Sequence, residues 1–452
     1  MKRISFAFTA LCSLPVLTRA QVQPGEYLFS VQNTTTTVHE LWSVDTQTRK
    51  ATQLTMSPSV QINCMTMLSN GLGYIGTVDD PPQIHRMTLA GTTATMTAMF
   101  KTSNALAGQT NIAQIARVGG NLYFSTNPGG SVYSIPIGGG TDPTLVYDLT
   151  TVTGFPTSGL VNALAGDGAG KVWAAVWTVG EIYEIDVSAT TPTAKFLTTL
   201  PVSKLSTTTT GFYPVNMHYR ANKLECFGLY GDVVVLDPVT LKVDNHWYAV
   251  SPTQTGFTTS KNCGIYNPDQ GDYTLGSRDG CLDVVVPVGG GQIARADVQG
   301  IGAGTLGTNN SVNGVYYNPV GASYVAYDSG CNGQTTHAPT STGRGAASKG
   351  NSKFAFGLDT CPMGQNIAIL LIGANKLKID LAGLGLGGCN LLNDALFVLP
   401  VLTDNATVDG FGSASIPVPL PNTNLTLHTQ WLIYHVTNKR FEAISDGRTL
   451  TL

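Results

Sequence analysis

Six short segments share one signature, an asparagine leading an apolar strand: Asn63 in INCMTM, Asn111 in NIAQIA, Asn162 in VNALAG, Asn216 in VNMHYR, Asn262 in NCGIYN and Asn313 in VNGVYY. Successive asparagines stand 48, 51, 54, 46 and 51 residues apart. That period matches the roughly 40–50 residues of one four-stranded propeller blade. The stretches between the asparagines repeat as well. After Asn111 come GGNLYFST, GGSVYSIPI and TLVYDLT, and after Asn162 come AGKVWAAV, GEIYEIDV and AKFLTTL. Each unit reads as four short strands with alternating apolar residues, separated by turns.

The two ends of this region complete each other. EYLFSVQ, HELWSVD and KATQLT supply three strands before Asn63, and Asn313 opens a strand with no three followers of its own kind. Joining them makes one whole unit, closes a ring and removes the free strand edges of an open array. The expectation is an all-β chain with a six-bladed β-propeller over residues 21–321, or a seven-bladed one if ASYVAYD (322–328) joins the ring. Composition agrees, since charged residues are only 12%, glycines number 51, and threonine recurs in runs such as Thr34–Thr37 and Thr207–Thr210. Such usage suits short strands joined by many turns. At 452 residues the chain exceeds one ordinary core, so two domains are expected.

Lys2 and Arg3 precede an apolar run from Ile4 to Leu17, and Thr18-Arg19-Ala20 offers small residues for cleavage. Residues 1–20 therefore read as a signal peptide. No later run reaches the roughly 18 apolar residues of a membrane span, so a secreted, periplasmic or cell-surface protein is expected. Without Lys2, Arg3 and Arg19 the formal net charge moves from −3 to −6. A mildly acidic surface without basic clusters argues against a nucleic-acid partner. After loss of Cys12, seven cysteines remain at 64, 226, 263, 281, 331, 361 and 389. An oxidising compartment permits disulfides, and the odd number leaves at least one cysteine unpaired within a monomer.

In a closed ring the asparagines gather at one mouth of the central channel, where two roles are open to them. Each amide bonds nearby backbone and holds its strand or the next blade, or the six form a polar cup for a sugar, another small polar ligand or an ion. The loops before three of these strands carry TGFP at 153, TGFYP at 210 and TGF at 255. Phe155, Phe212, Tyr213 and Phe257 then either plug the gaps between blades or ring the cup for stacking against sugar faces. His218, two residues beyond Asn216, is the one candidate channel histidine.

Motifs of catalysis are missing. The chain has no G-x-S-x-G and no H-E-x-x-H, and His428 and His435 are seven apart in one strand, hence on opposite faces. No catalytic residue, metal site or cofactor is assigned. The expected function is an exported noncatalytic binding or scaffold protein whose propeller face takes a glycan or a surface protein. The alternative is a metal-dependent hydrolase or lyase, lactonase-like, acting at the channel mouth. Carboxylates brought beside the asparagines would favour the enzyme.

Beyond about residue 320 the rhythm changes. A polar, glycine-rich segment, CNGQTTHAPTSTGRGAASKGNSK (331–353), precedes KFAFGL, NIAILLIG, LKIDL, ALFVLPVL, GSASIPVPLP, LTLHTQWLIYHV and RFEAIS. These describe a β-sandwich over residues 322–452. The segments YDSGCNG (327–333), AILLIG (368–373), DLAGLGLGGCNLL (380–392), GSASIPVPLPN (412–422), HTQWLI (428–433) and the ending SDGRTLTL carry a likeness. This tail resembles a domain that recurs at the C-termini of secreted proteins of planctomycetes and some other bacteria. The resemblance implies a compact β-sandwich module without known chemistry, and it pairs Cys331 with Cys389, while Cys361 departs from the pattern. Gly383, Gly385 and Gly388 fit the G-x-G-x-x-G spacing of a dinucleotide turn, but that fingerprint needs a helix to open directly after them. Here Cys389, NLLNDALFVLP and Pro400 read as strand, so the glycines are expected to form a turn that delivers Cys389 to its partner.

Overall fold

The computed structural model describes residue 22 and residues 25–452 other than 34–35, 46–50, 70, 101–103, 178, 204–210, 249–259, 279–281, 286–292, 296–309, 320–322, 329, 336–337, 345–346, 353 and 405–411. Among the described residues there is no α-helix, only strands and three single-turn 3-10 helices. The proposed signal peptide, Cys281 and Phe257 lie outside the described residues.

The first 24 strands form one eight-stranded sheet and four antiparallel four-stranded sheets. The eight-stranded sheet consists of two antiparallel four-stranded units joined edge to edge by the parallel pairing of Ala51–Ser57 with Thr93–Ala98, which makes six units, numbered along the chain. The first unit is built from both ends of the repeat region: Asn310–Tyr317 pairs with Glu26–Asn33, followed outward by His39–Asp45 and Ala51–Ser57. The second to sixth units run consecutively, opening with Ile62–Ser69, Asn111–Val118, Val161–Gly166, Pro214–Arg220 and Lys261–Asn267. These innermost strands touch their neighbours in a closed cycle, the last meeting Asn310–Tyr317 and that strand meeting Ile62–Ser69. This is a β-propeller, closed by pairing the N-terminal strands with a late one. Tyr27 seals the join, its hydroxyl bonded to Asn267 Nδ2 at 2.7 Å and Thr274 Oγ1 at 2.9 Å in the sixth unit.

Burial explains the sequence pattern along the strands. In the second strand of the fourth unit, Val172, Trp173, Ala174, Ala175 and Val176 are all buried. Neighbouring units cover both faces of the inner strands, so these read as near-continuous apolar runs. Simple alternation survives further out, as in Ile84–Ala90, where Arg86, Thr88 and Ala90 are exposed and Met87 and Leu89 buried. Close approach between units demands small residues. A Cβ on Gly264 would stand 2.2 Å from the Phe227 ring of the preceding unit.

Ser323–Asp328, the candidate start of a seventh blade, pairs instead with the C-terminal strand Gly447–Thr451. It belongs to a six-stranded sheet with Thr426–His435, Ile367–Gly373, Phe397–Leu402 and Arg440–Ile444. A three-stranded sheet of Thr340–Arg344, Ala355–Cys361 and Gly412–Pro417 packs against it. Tyr324, Leu370, Trp431 and Ile433 from one sheet meet Phe356, Leu358 and Ala414 from the other in one core, as in a β-sandwich. The glycine motif forms a turn: Lys376–Leu381 leads through a single 3-10 turn to Gly385 at φ 79° and then directly into the strand Leu386–Asn393. No helix opens there, and Cys389 on that strand forms a disulfide with Cys331.

Candidate functional site: an amide-lined cavity at the channel mouth

Every innermost strand carries a bulge near its start, where pairing with the next strand skips one residue. The skipped residues are Asn63, Ala113, Asn162, Val215, Asn262 and Asn313. A bulge leaves its extra residue unpaired and re-aims the side chain. All six line a single cavity of about 500 Å³.

This corrects the repeat register read from the sequence in two units. The equivalents of Asn63 in the third and fifth units are Ala113 and Val215, not Asn111 and Asn216. Asn111 lies two residues before its bulge and also lines the cavity. Asn216 lies one residue after its bulge and does not: opposite Phe227 in the pairing, it is only 7% exposed. Side chains alternate along a strand, so a one-residue error exchanges faces and a two-residue error keeps the face.

The amides of the ring reach from unit to unit. Asn63 Nδ2 donates to the Ile112 carbonyl at 2.9 Å, Asn162 Nδ2 to the Pro214 carbonyl at 2.9 Å, and Asn313 Nδ2 to the Ile62 carbonyl at 3.3 Å. Each acceptor is the carbonyl just before the next unit's bulge residue. Asn262 Nδ2 donates instead to Ser311 Oγ and, at 3.2 Å, to Asn313 Oδ1. Ala113 and Val215 have no amide to donate, so two of the six junctions lack this staple. The structural reading of the asparagines thus applies to their Nδ2 atoms. Their oxygens are a different matter, for no described donor reaches Oδ1 of Asn63 or Asn162. Asn111 and Asn127 face each other across a strand pair, and the Oδ1 of each is buried without a described donor.

The rest of the lining divides by unit. Leu160, Trp177, Val215 and Leu229, from the fourth and fifth units, form an apolar wall, and Gln32, Ser311 and the amides form a polar arc. Arg278, at the end of the second strand of the sixth unit, is the only charged residue of the described lining, and its Nε donates to Asn262 Oδ1 at 3.2 Å. No aspartate, glutamate, histidine or cysteine is among the described lining residues, and no group of three such residues that could hold a metal ion occurs among the described residues.

Two of the aromatic residues expected around the cup, Phe155 and Phe212, serve as packing. Phe212 is fully buried against Gly180 and Gly228, and Phe155 packs on Tyr183 with ring centroids 5.5 Å apart. His218 does not line the cavity. Its Nε2 lies 3.0 Å from the Gly264 carbonyl, its ring meets Phe227 edge-on, and burial pushes its pKa down. Trp177 and Arg278 carry no signature that sequence reasoning singles out. They occupy matching places, each at or just past the end of the second strand of its unit and donating its backbone N–H to Leu160 and Ser260 respectively. Alignment of those strands is the one signal that could have found them.

No protein-family model and no curated protein matches this chain. Among solved structures, the β-propeller domain of Cps50 (Swd1) from Myceliophteria thermophila is 11% identical, covering 86% of this chain and 96% of that one at a TM-score of 0.35. The WD40 domain of Pan2 from Neurospora crassa is 14% identical, covering 56% and 88% at a TM-score of 0.33. Glutaminyl cyclase from Myxococcus xanthus is 13% identical, covering 40% and 68% at a TM-score of 0.26. Likenesses this distant assign no function, and the fold is defined by the strand pairing itself. Among the described residues no helix is long and apolar enough to cross a membrane.

Proposed function

We propose that this chain is an exported six-bladed propeller that binds a polyhydroxylated ligand, a glycan or sugar, without transforming it. The closed cycle of six innermost strands supports the blade count, and the charged n-region and apolar run of residues 1–20 support export. The observation that carries the function is the cavity's chemistry: amide side chains along one arc and a tryptophan on the facing wall. Amide oxygens accept hydrogen bonds from hydroxyl groups and amide N–H groups donate to them, while an indole packs against the C–H face of a sugar ring. The size, about 500 Å³, lies within the range of small-ligand sites. Proton transfer needs a positioned acid or base, and the described lining supplies none.

The test is an array of neutral and acidic oligosaccharides probed with the mature protein and with Trp177→Ala. Binding by the wild type that weakens at least about fivefold in the variant supports the reading, since loss of an aromatic contact surface of this kind costs about 1 kcal/mol or more. Absence of binding to any sugar, or equal binding by both proteins, overturns it.

A further inference from the structure

We infer that the ligand is an acidic sugar whose carboxylate is held by Arg278. This rests on the sugar-binding reading above and narrows it to a charge class. Arg278 is exposed and has no carboxylate partner among the described residues. Its place is fixed from one side only. Nε donates to Asn262 Oδ1, Asn262 Nδ2 donates to Asn313 Oδ1, and Asn313 Nδ2 donates to Gln32 Oε1 at 3.3 Å. The relay runs in one direction, with each amide turning its oxygen back toward the arginine. It anchors the inner edge of the guanidinium and leaves both terminal nitrogens without a described acceptor. A planar fork held in this way matches a carboxylate through two parallel N–H···O bonds.

The neighbours of Arg278 define the remainder of the ligand. Leu229 and Val215 of the adjoining fifth unit, then Trp177 and Leu160 of the fourth, offer a surface for the C–H face of a ring, and the Oδ1 atoms of Asn63 and Asn162, which no described donor reaches, accept from its hydroxyls. A hexuronate has these three features in one residue: an anionic group at one end, an apolar face and hydroxyl edges. A cavity with one cation and no described anion also raises the local concentration of negatively charged ligands.

The deciding experiment compares a disaccharide ending in glucuronate with its glucose-ended counterpart and with the 6-phosphate of the latter, by calorimetry on the wild type and on Arg278→Gln. The glucuronate compound is expected to bind at least about tenfold tighter than the glucose compound, and the ratio is expected to collapse to within about twofold in the variant. In the wild type the same ratio is expected to shrink as salt rises from about 50 to 500 mM, a readout that does not depend on the variant folding. Equal affinity for the charged and neutral compounds overturns the inference and leaves sugar binding standing. A preference that survives both Arg278→Gln and high salt also overturns it, and tighter binding of the phosphate removes the carboxylate assignment. Binding of none of the three, with an unresponsive array, removes both readings.

Discussion

Arg448, in the last strand of the chain, lies 3.6 Å from Asp272 of the sixth repeat unit, and both are buried where the propeller meets the C-terminal sheets. Arg448 Nε also bonds Asp446 at 2.7 Å, while Nη1 donates to the carbonyls of Gln270 and Tyr324 at 3.1 and 3.2 Å. Gln270 extends the junction through its side-chain amide, which both donates to and accepts from the backbone of Gly343. One guanidinium therefore satisfies groups from both parts of the chain.

Replacing it should be severe. Arg448→Met keeps bulk but leaves Asp272 and Asp446 buried without their cation, a loss of about 3–5 kcal/mol. Denaturant unfolding of the wild type and the variant measures this. A change below about 1 kcal/mol would sink the idea that the arginine joins the two parts.

The same cluster sets a pH dependence. Burial pushes the Asp272 carboxyl up to about 7, against the opposing pull of Arg448, and pushes Asp446 up as well. An unfolded aspartate titrates near 3.9. Between about pH 4 and 7 the folded chain keeps a proton that the unfolded chain has lost. The contribution is fully present below about pH 4 and is lost as pH rises through 7. Melting temperature is expected to fall on going from pH 5 to pH 7.5, with a smaller fall in Asp272→Asn. Identical profiles for the two proteins would refute the assignment.

The inter-unit staples are testable in both directions. Asn162→Ala removes the donor to the Pro214 carbonyl and should cost about 1–3 kcal/mol. Ala113→Asn places an amide at the bulge of the third unit, within reach of the fourth, and should add about 0.5–1 kcal/mol. Chemical denaturation reads both. No loss in the first variant would show that the ring amides are not holding the units together.

Thiol labelling should separate the cysteines. Cys64, Cys226, Cys263 and Cys361 are buried, and burial pushes the thiols of Cys64 and Cys263 up to about 12. Reactivity follows the thiolate. Alkylation of the native protein at pH 7.5 and subsequent peptide mapping are expected to find these four unmodified. Replacing both Cys331 and Cys389 by alanine opens the 58-residue link that the disulfide closes and should destabilise the C-terminal sheets by about 2–5 kcal/mol. Rapid native labelling of Cys64 or Cys263 would contradict their burial.

Much of this architecture could be read from local pattern. The period of about 50 residues, the turn-bounded strands and the incomplete units at the two ends of the repeat region together require a closed ring, because a partial unit cannot bury its apolar faces or pair its edges alone. The glycines of LAGLGLGGCN could be assigned to a turn because the residues after them favour a strand.

Other features depended on pairing across the fold. Whether Asn111 or Ala113, and Asn216 or Val215, occupies the bulge is decided by the register against the second strand, and a shift of one residue exchanges the two faces. That is why Asn216 and His218 lie outside the cavity while Trp177 and Arg278 line it. The meeting of Arg448 with Asp272 brings together groups far apart in sequence, from strands of different sheets. Sequence periodicity determined that a ring forms. Only the packed structure decided which side chains face its mouth, because that choice rests on hydrogen-bond register and on burial between neighbouring units.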